Sequence, residues 1–152
     1  MENRLDSGDV YRFVMAGDAR FTIVSKVTGT RFTYRIRAKD DGAIHFVSVL
    51  TGPDNDSSYK YLGWIRNGEF VHGARRSSIS PDAPSAKAFR WFWSRIDRLP
   101  EHLVEVYHMG RCGRCARALT VPESIRSGIG PECAKKMGFC NVVEFGLDDA
   151  AE

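Results

Sequence analysis

The run Arg31-Phe32-Thr33-Tyr34-Arg35-Ile36-Arg37 alternates polar and apolar side chains at every step. A period of two sorts residues onto the two faces of a strand, and a helix cannot separate them in this way. Phe32, Tyr34 and Ile36 are therefore expected in a core, and Arg31, Thr33, Arg35 and Arg37 outside it. Similar runs lie on either side. FTIVSK precedes it across Val27-Thr28-Gly29-Thr30, a short hairpin connection. AIHFVSVL follows Asp40-Asp41-Gly42 and ends before Gly52-Pro53-Asp54-Asn55. YKYLGWI stops at Asn67-Gly68, and EFVH makes a short fifth run. Strands joined by such short turns predict a mostly antiparallel sheet. Residues 1–9 read as a polar, fraying terminus.

The period then changes. Ser80-Pro81-Asp82-Ala83-Pro84-Ser85 has helix-start chemistry, and Phe89, Phe92, Trp93, Ile96 and Leu99 recur at helical spacing before Pro100. One amphipathic helix over 84–99 should pack its apolar stripe on the sheet. The expected architecture is α+β: a strand-rich body over residues 1–100, a zinc-binding module over 101–140, and an acidic tail over 141–152. Trp91 lies at the flank of the stripe, where it suits either the edge of the core or contact with a partner.

Apolar residues make up 43% of the chain and include nine Phe, enough to build a core. No apolar run approaches the roughly 18 residues of a membrane span. The N-terminus has no apolar stretch of the kind that serves as a secretory signal, so a cytoplasmic protein with no membrane partner is expected. Charge is uneven. Residues 1–100 carry 16 Lys and Arg against 11 Asp and Glu, whereas residues 101–152 carry 6 against 8. The basic surplus of the body permits contact with nucleic acid.

All four cysteines fall in the acidic part. Where disulfides rarely persist, clustered cysteines more often bind metal. Cys112 and Cys115 have C-x2-C spacing, which lets two thiolates reach one ion, and Gly113 relaxes the bend between them. Cys133 follows Gly130-Pro131, so it belongs in a first helical turn, close to free N–H groups. A structural Zn2+ needs a fourth ligand. His108 is favoured, because it ends a strand leading into the knuckle, and Cys140 is the alternative. Three ligands and an open position would instead suit a zinc enzyme, with Glu123 or Glu132 as base. No Walker A loop, G-x-G-x-x-G or G-x-S-x-G motif is present, and the order of the cysteines does not fit a deaminase.

The stretch RCGRCARALTVPESIRSGIGPECAKKM resembles a cysteine motif, C-x2-C-x-R-x-L-T-x-P-x-S-I-x-x-G-I-G-P-x-C, of an uncharacterised family of phage and bacterial proteins. The resemblance spans roughly residues 108–138, and similar proteins often carry a strand-rich segment ahead of the motif. It implies a metal-binding fold at Cys112, Cys115 and Cys133 and a phage-type product, and it carries no activity with it.

Arg31, Arg35 and Arg37 form a row whose steps of about 6–7 Å match phosphate spacing. Arg75, Arg76 and Lys26 extend the row if they fold nearby, and Tyr59 and Tyr61 supply stacking surfaces. Arg111, Arg114 and Arg117 flank the knuckle and could point outward together. The reading that results is a non-enzymatic, zinc-stabilised protein that binds DNA or RNA. The alternatives are a protein-binding module or inhibitor of a host or defence protein, acting through Trp91, and the zinc enzyme.

Overall fold

The structure, a computed structural model, describes residues 3–138. Among them seven strands form one sheet in the order β1-β7-β2-β3-β4-β5-β6. β2 (Asp18–Ser25), β3 (Arg31–Lys39), β4 (Ile44–Leu50), β5 (Tyr59–Arg66) and β6 (Glu69–His72) make a meander at the positions the alternation predicts. Every neighbouring pair in the sheet is antiparallel.

Two corrections concern the ends of the body. Residues 4–14 are ordered, not frayed: β1 (Arg4–Leu5) pairs with β7, and α1 (Ser7–Val14) buries Val10, Phe13 and Val14. That i, i+3, i+4 triplet is a helical stripe, partly hidden behind Ser7, Gly8 and Asp9. The body therefore carries two amphipathic helices. The second, α2, runs Pro84–Ser94 rather than to residue 99. Ile96 and Leu99 are nonetheless buried, from the turn that follows.

β7 (Val104–His108) opens the segment expected to be a separate module, yet it is an inner strand of the sheet, held between β1 and β2. Two short helices follow, α3 (Pro122–Ser127) and α4 (Pro131–Lys136). Among the described residues the four helices pack on one side of the sheet. Phe13 of α1 meets Phe21 edge-on with 6.4 Å between ring centroids, and Phe92 and Phe89 of α2 meet Phe21 at 5.6 Å and Tyr34 at 5.1 Å. The indole Nε1 of Trp93 donates to Gly68 O at 3.0 Å and pins α2 to the β5–β6 turn.

The cysteine segment shares this core. Cys112, Ile129, Cys133 and Ala134 pack in the same cluster as Leu5, Phe13 and Phe21. The contact depends on two glycines. A Cβ on Gly113 would lie 2.7 Å from Phe13 Cδ1, and one on Gly128 would collide with the same ring atom. Backbone bonds complete the seam, since Asp18 N–H donates to Gly113 O at 2.7 Å and Gly113 N–H to Gly128 O at 2.8 Å. Phe13→Ala should therefore cost about 3–5 kcal/mol in a urea titration, and should loosen the cysteine segment as well as α1. Unchanged stability would show that the seam is not part of the cooperative core.

Candidate metal centre and outer sheet face

Cys112 ends the stretch that follows β7, Cys115 sits across the knuckle, and Cys133 lies in the first turn of α4, where the Gly-Pro start predicts it. Their three sulfurs fall within 4.8 Å of one another. A tetrahedral ion with Zn–S bonds near 2.3 Å needs sulfurs about 3.8 Å apart, so the cluster is within reach of one ion. Cys112 and Cys133 are buried and Cys115 is exposed.

The backbone prepares Cys112 for negative charge. Burial alone raises its pKa, but N–H groups of Gly130, Cys115 and Arg114 aim at the sulfur and bring it below the ordinary thiol value. Gly130 N lies 3.3 Å and Arg114 N 3.4 Å from Sγ. Cys133 is pushed up by its burial and by the neighbouring thiols, against the opposing pull of Arg114, whose Nη1 lies 3.6 Å from its sulfur. Beside the sulfurs a cavity of about 380 Å³ is lined by Arg114, Arg117, Glu132 and Lys136 among others. The cations can offset the charge of a thiolate-bound ion.

The structure does not bring His108 to this cluster, which corrects the expected fourth ligand. Alternation along β7 turns His108 inward with Val104 and Val106, where it is 2% exposed. Its Nε2 donates to Ile125 O at 2.5 Å, and its Nδ1 accepts from Gly110 N–H at 2.9 Å. Both ring nitrogens are thus in use, and burial lowers the imidazole pKa, only partly offset by the bond to Ile125. The ring is a brace between β7 and α3. Cys140, the alternative, lies outside the described residues, as does the acidic tail over 141–152.

The knuckle arginines Arg111, Arg114 and Arg117 are all exposed, although two of them also have local partners. Arg111 Nη1 donates to Ala116 O at 3.1 Å, and Arg114 turns to Cys133. Ala116, directly after the knuckle, has φ +64°. That left-handed conformation costs a residue with a Cβ about 1–2 kcal/mol, and glycine avoids the cost. Ala116→Gly should raise stability by about 0.5–1 kcal/mol after allowing for the freer unfolded chain. A midpoint of unfolding that fails to rise would show that the turn is not strained.

The arginine row divides. Arg35 is bidentate to Asp18, at 3.0 and 3.2 Å, so its charge is met. Arg31 and Arg37 are exposed, and neither takes part in an ion pair among the described residues. Arg75 and Arg76 are exposed in a single 3-10 turn, Ala74–Arg76, and Arg76 is close enough to Tyr61 to pull against the burial that raises its pKa. Tyr59 is held by Asn55, its hydroxyl donating to Oδ1 at 2.6 Å. Lys26 lies elsewhere, its Nζ bonded to Glu101 O. Trp91 is half-buried on α2, with the Arg95 guanidinium 4.7 Å from its ring centroid.

A β-bulge adds an aromatic residue that alternation hides. Ser48 pairs with Tyr61, Val47 with Gly63 and Phe46 with Trp64, so Leu62 and Gly63 together oppose Val47. The extra residue shifts the alternation and leaves Tyr61 and Trp64 on the same outward face, although three positions separate them. Gly63 is required there, because a Cβ would collide with Val71 O. Phe46 pairs with Arg37 on its other side, its ring is 6.0 Å from that of Tyr61, and Lys39 Nζ is 5.9 Å from its centroid. A Gly after an aromatic-rich strand start is the one signal in the sequence that points to the bulge.

Residues 105–138 match a family of unknown function, DUF6011. No curated protein and no solved structure matches the chain. Among the described residues no helix is long and apolar enough to cross a membrane.

Proposed function

We propose that this protein is a non-enzymatic, zinc-stabilised binding protein that holds single-stranded nucleic acid on the outer face of its sheet. The bulge at Leu62–Gly63 carries the reading. It sets Phe46, Tyr61 and Trp64 side by side, with Arg37, Lys39 and Arg76 around them. Rings offer every base a stacking surface, and guanidinium and ammonium groups meet phosphates without regard to sequence. The helices all pack on the opposite side, so they do not cover this face.

Zinc suits a site of several thiolates, because the ion is soft enough for sulfur and accepts tetrahedral geometry. With His108 occupied, Cys140 is the remaining cysteine for the fourth position. The metal's part in this reading is structural: it would tie the knuckle to α4 and so complete the core around Phe13. Purified protein should carry one zinc ion per chain. Cobalt titration should give the intense thiolate-to-metal absorption of a sulfur-rich site, reduced by Cys133→Ser and by Cys140→Ser but kept by His108→Gln. Full retention of the metal in Cys140→Ser would remove Cys140 from the site.

The nucleic-acid reading is tested with fluorescein-labelled oligothymidine and oligouridine by anisotropy. Trp64→Ala and Tyr61→Ala should each weaken binding by about tenfold, within the 1–3 kcal/mol expected per stacked base. Arg37→Ala should lower the slope of log K against log salt by about 0.7. No saturable binding even at about 10 mM salt, where electrostatic contacts are strongest, would sink the proposal.

A further inference from the structure

On the helix side of the sheet an apolar groove of about 270 Å³ opens between α2 and the β2–β3 hairpin. Ile23, Phe32 and Val104 of the sheet line it together with Ala88 and Trp91 of α2. Val27, on the hairpin connection, adds a side chain that is 73% exposed. The two lining hydroxyls already have partners. Ser25 Oγ accepts from the N–H groups of Val27 and Thr28, at 3.3 and 3.1 Å, and Thr28 and Thr30 share a bond at 2.9 Å. A nucleobase, a sugar or a cofactor needs placed polar groups to orient it, and its pockets usually exceed about 300 Å³. This groove is smaller and nearly all apolar, which suits one bulky apolar side chain.

The rim is cationic. Lys87 on α2 and Arg95 just past its end stand four residues before and after Trp91, and both are exposed. No ion pair among the described residues neutralises either cation, and no acidic side chain lines the groove. An unpaired cationic rim around an apolar slot selects by charge as well as by shape.

We infer that this groove docks an acidic segment of a partner protein. One large apolar side chain enters against Trp91 and Phe32, and flanking carboxylates meet Lys87 and Arg95. The groove is on the side of the sheet opposite Phe46, Tyr61 and Trp64, so the inference stands or falls apart from the nucleic-acid reading. A protein with both surfaces could hold an acidic partner and a nucleic acid together.

The probe is a fluorescein-labelled peptide of Asp and Glu around one central Phe, titrated into the full-length protein and read by anisotropy. Binding should saturate at low salt and weaken as ionic strength rises. Replacing the peptide's Phe by Ala should cost about tenfold, as expected for an anchor that fills a pocket. Ala88→Trp, which fills the slot, and the exposed double change Lys87→Glu with Arg95→Glu should each do the same, with far-UV dichroism unchanged. Four results would each overturn the inference. These are no saturable binding at low salt, equal binding of the Ala-anchored peptide, equal binding of a neutral Phe peptide, and displacement of the acidic peptide by oligothymidine. Loss of self-association in Ala88→Trp would also overturn it, by assigning the groove to a second copy of the chain.

Discussion

The ring of Phe13 is the point at which the two halves of the chain become one core. It stands edge-on to Phe21 of β2, lies 5.8 Å from the imidazole of His108, and presses on the backbone where Gly113 and Gly128 leave space. Neither glycine position could take a side chain without moving the ring. The cysteine knuckle is therefore seated on the same core, because the hydrophobic contact and the backbone bonds with Asp18 and Gly128 hold Gly113.

The sheet has two unlike faces for a similar physical reason. One side must be covered, and α1 and α2 cover it with aromatic rings. The other side faces solvent, and antiparallel sheets tolerate that when the outward residues are polar or half-buried aromatics. Its charge is only partly spent internally: Asp18 neutralises Arg35 and Asp56 meets Arg20 at 2.9 Å, while Arg31 and Arg37 remain exposed. The loop carrying Asp56 crosses over Arg20, so the unpaired cations concentrate toward β3, β4 and the Ala74–Arg76 turn. The bulge puts Trp64 in that same region.

Much of the meander could be read directly. Runs such as FTIVSK and AIHFVSVL have strong strand preference and end at Gly or Asp turns, which are local signals. The Gly-Pro start of α4 and the C-x2-C spacing are equally local, and the three cysteines do converge. What escaped reading had competing local signals or none. The Ser-Gly-Asp opening of α1 looks like a loop until Phe13 finds Phe21. Ile96 and Leu99 keep helical spacing in a turn, because burial requires only that they face the core. The bulge at Leu62–Gly63 is marked in the sequence only by its glycine, since the run Tyr61, Leu62, Trp64 and Ile65 is apolar throughout and does not show which residue changes face.

The chain's own order of residues is enough to establish an antiparallel α+β body and three cysteines poised for one metal. Those features follow from periodicity, turn chemistry and ligand spacing, each acting over a few residues. Tertiary structure alone settled the fate of His108, the union of the cysteine segment with the core, and the company of Phe46, Tyr61 and Trp64. These depend on what lies across the sheet or behind it. A histidine at the end of a strand is a ligand or a brace according to which carbonyl reaches it first, and here Ile125, seventeen residues onward, supplies the carbonyl.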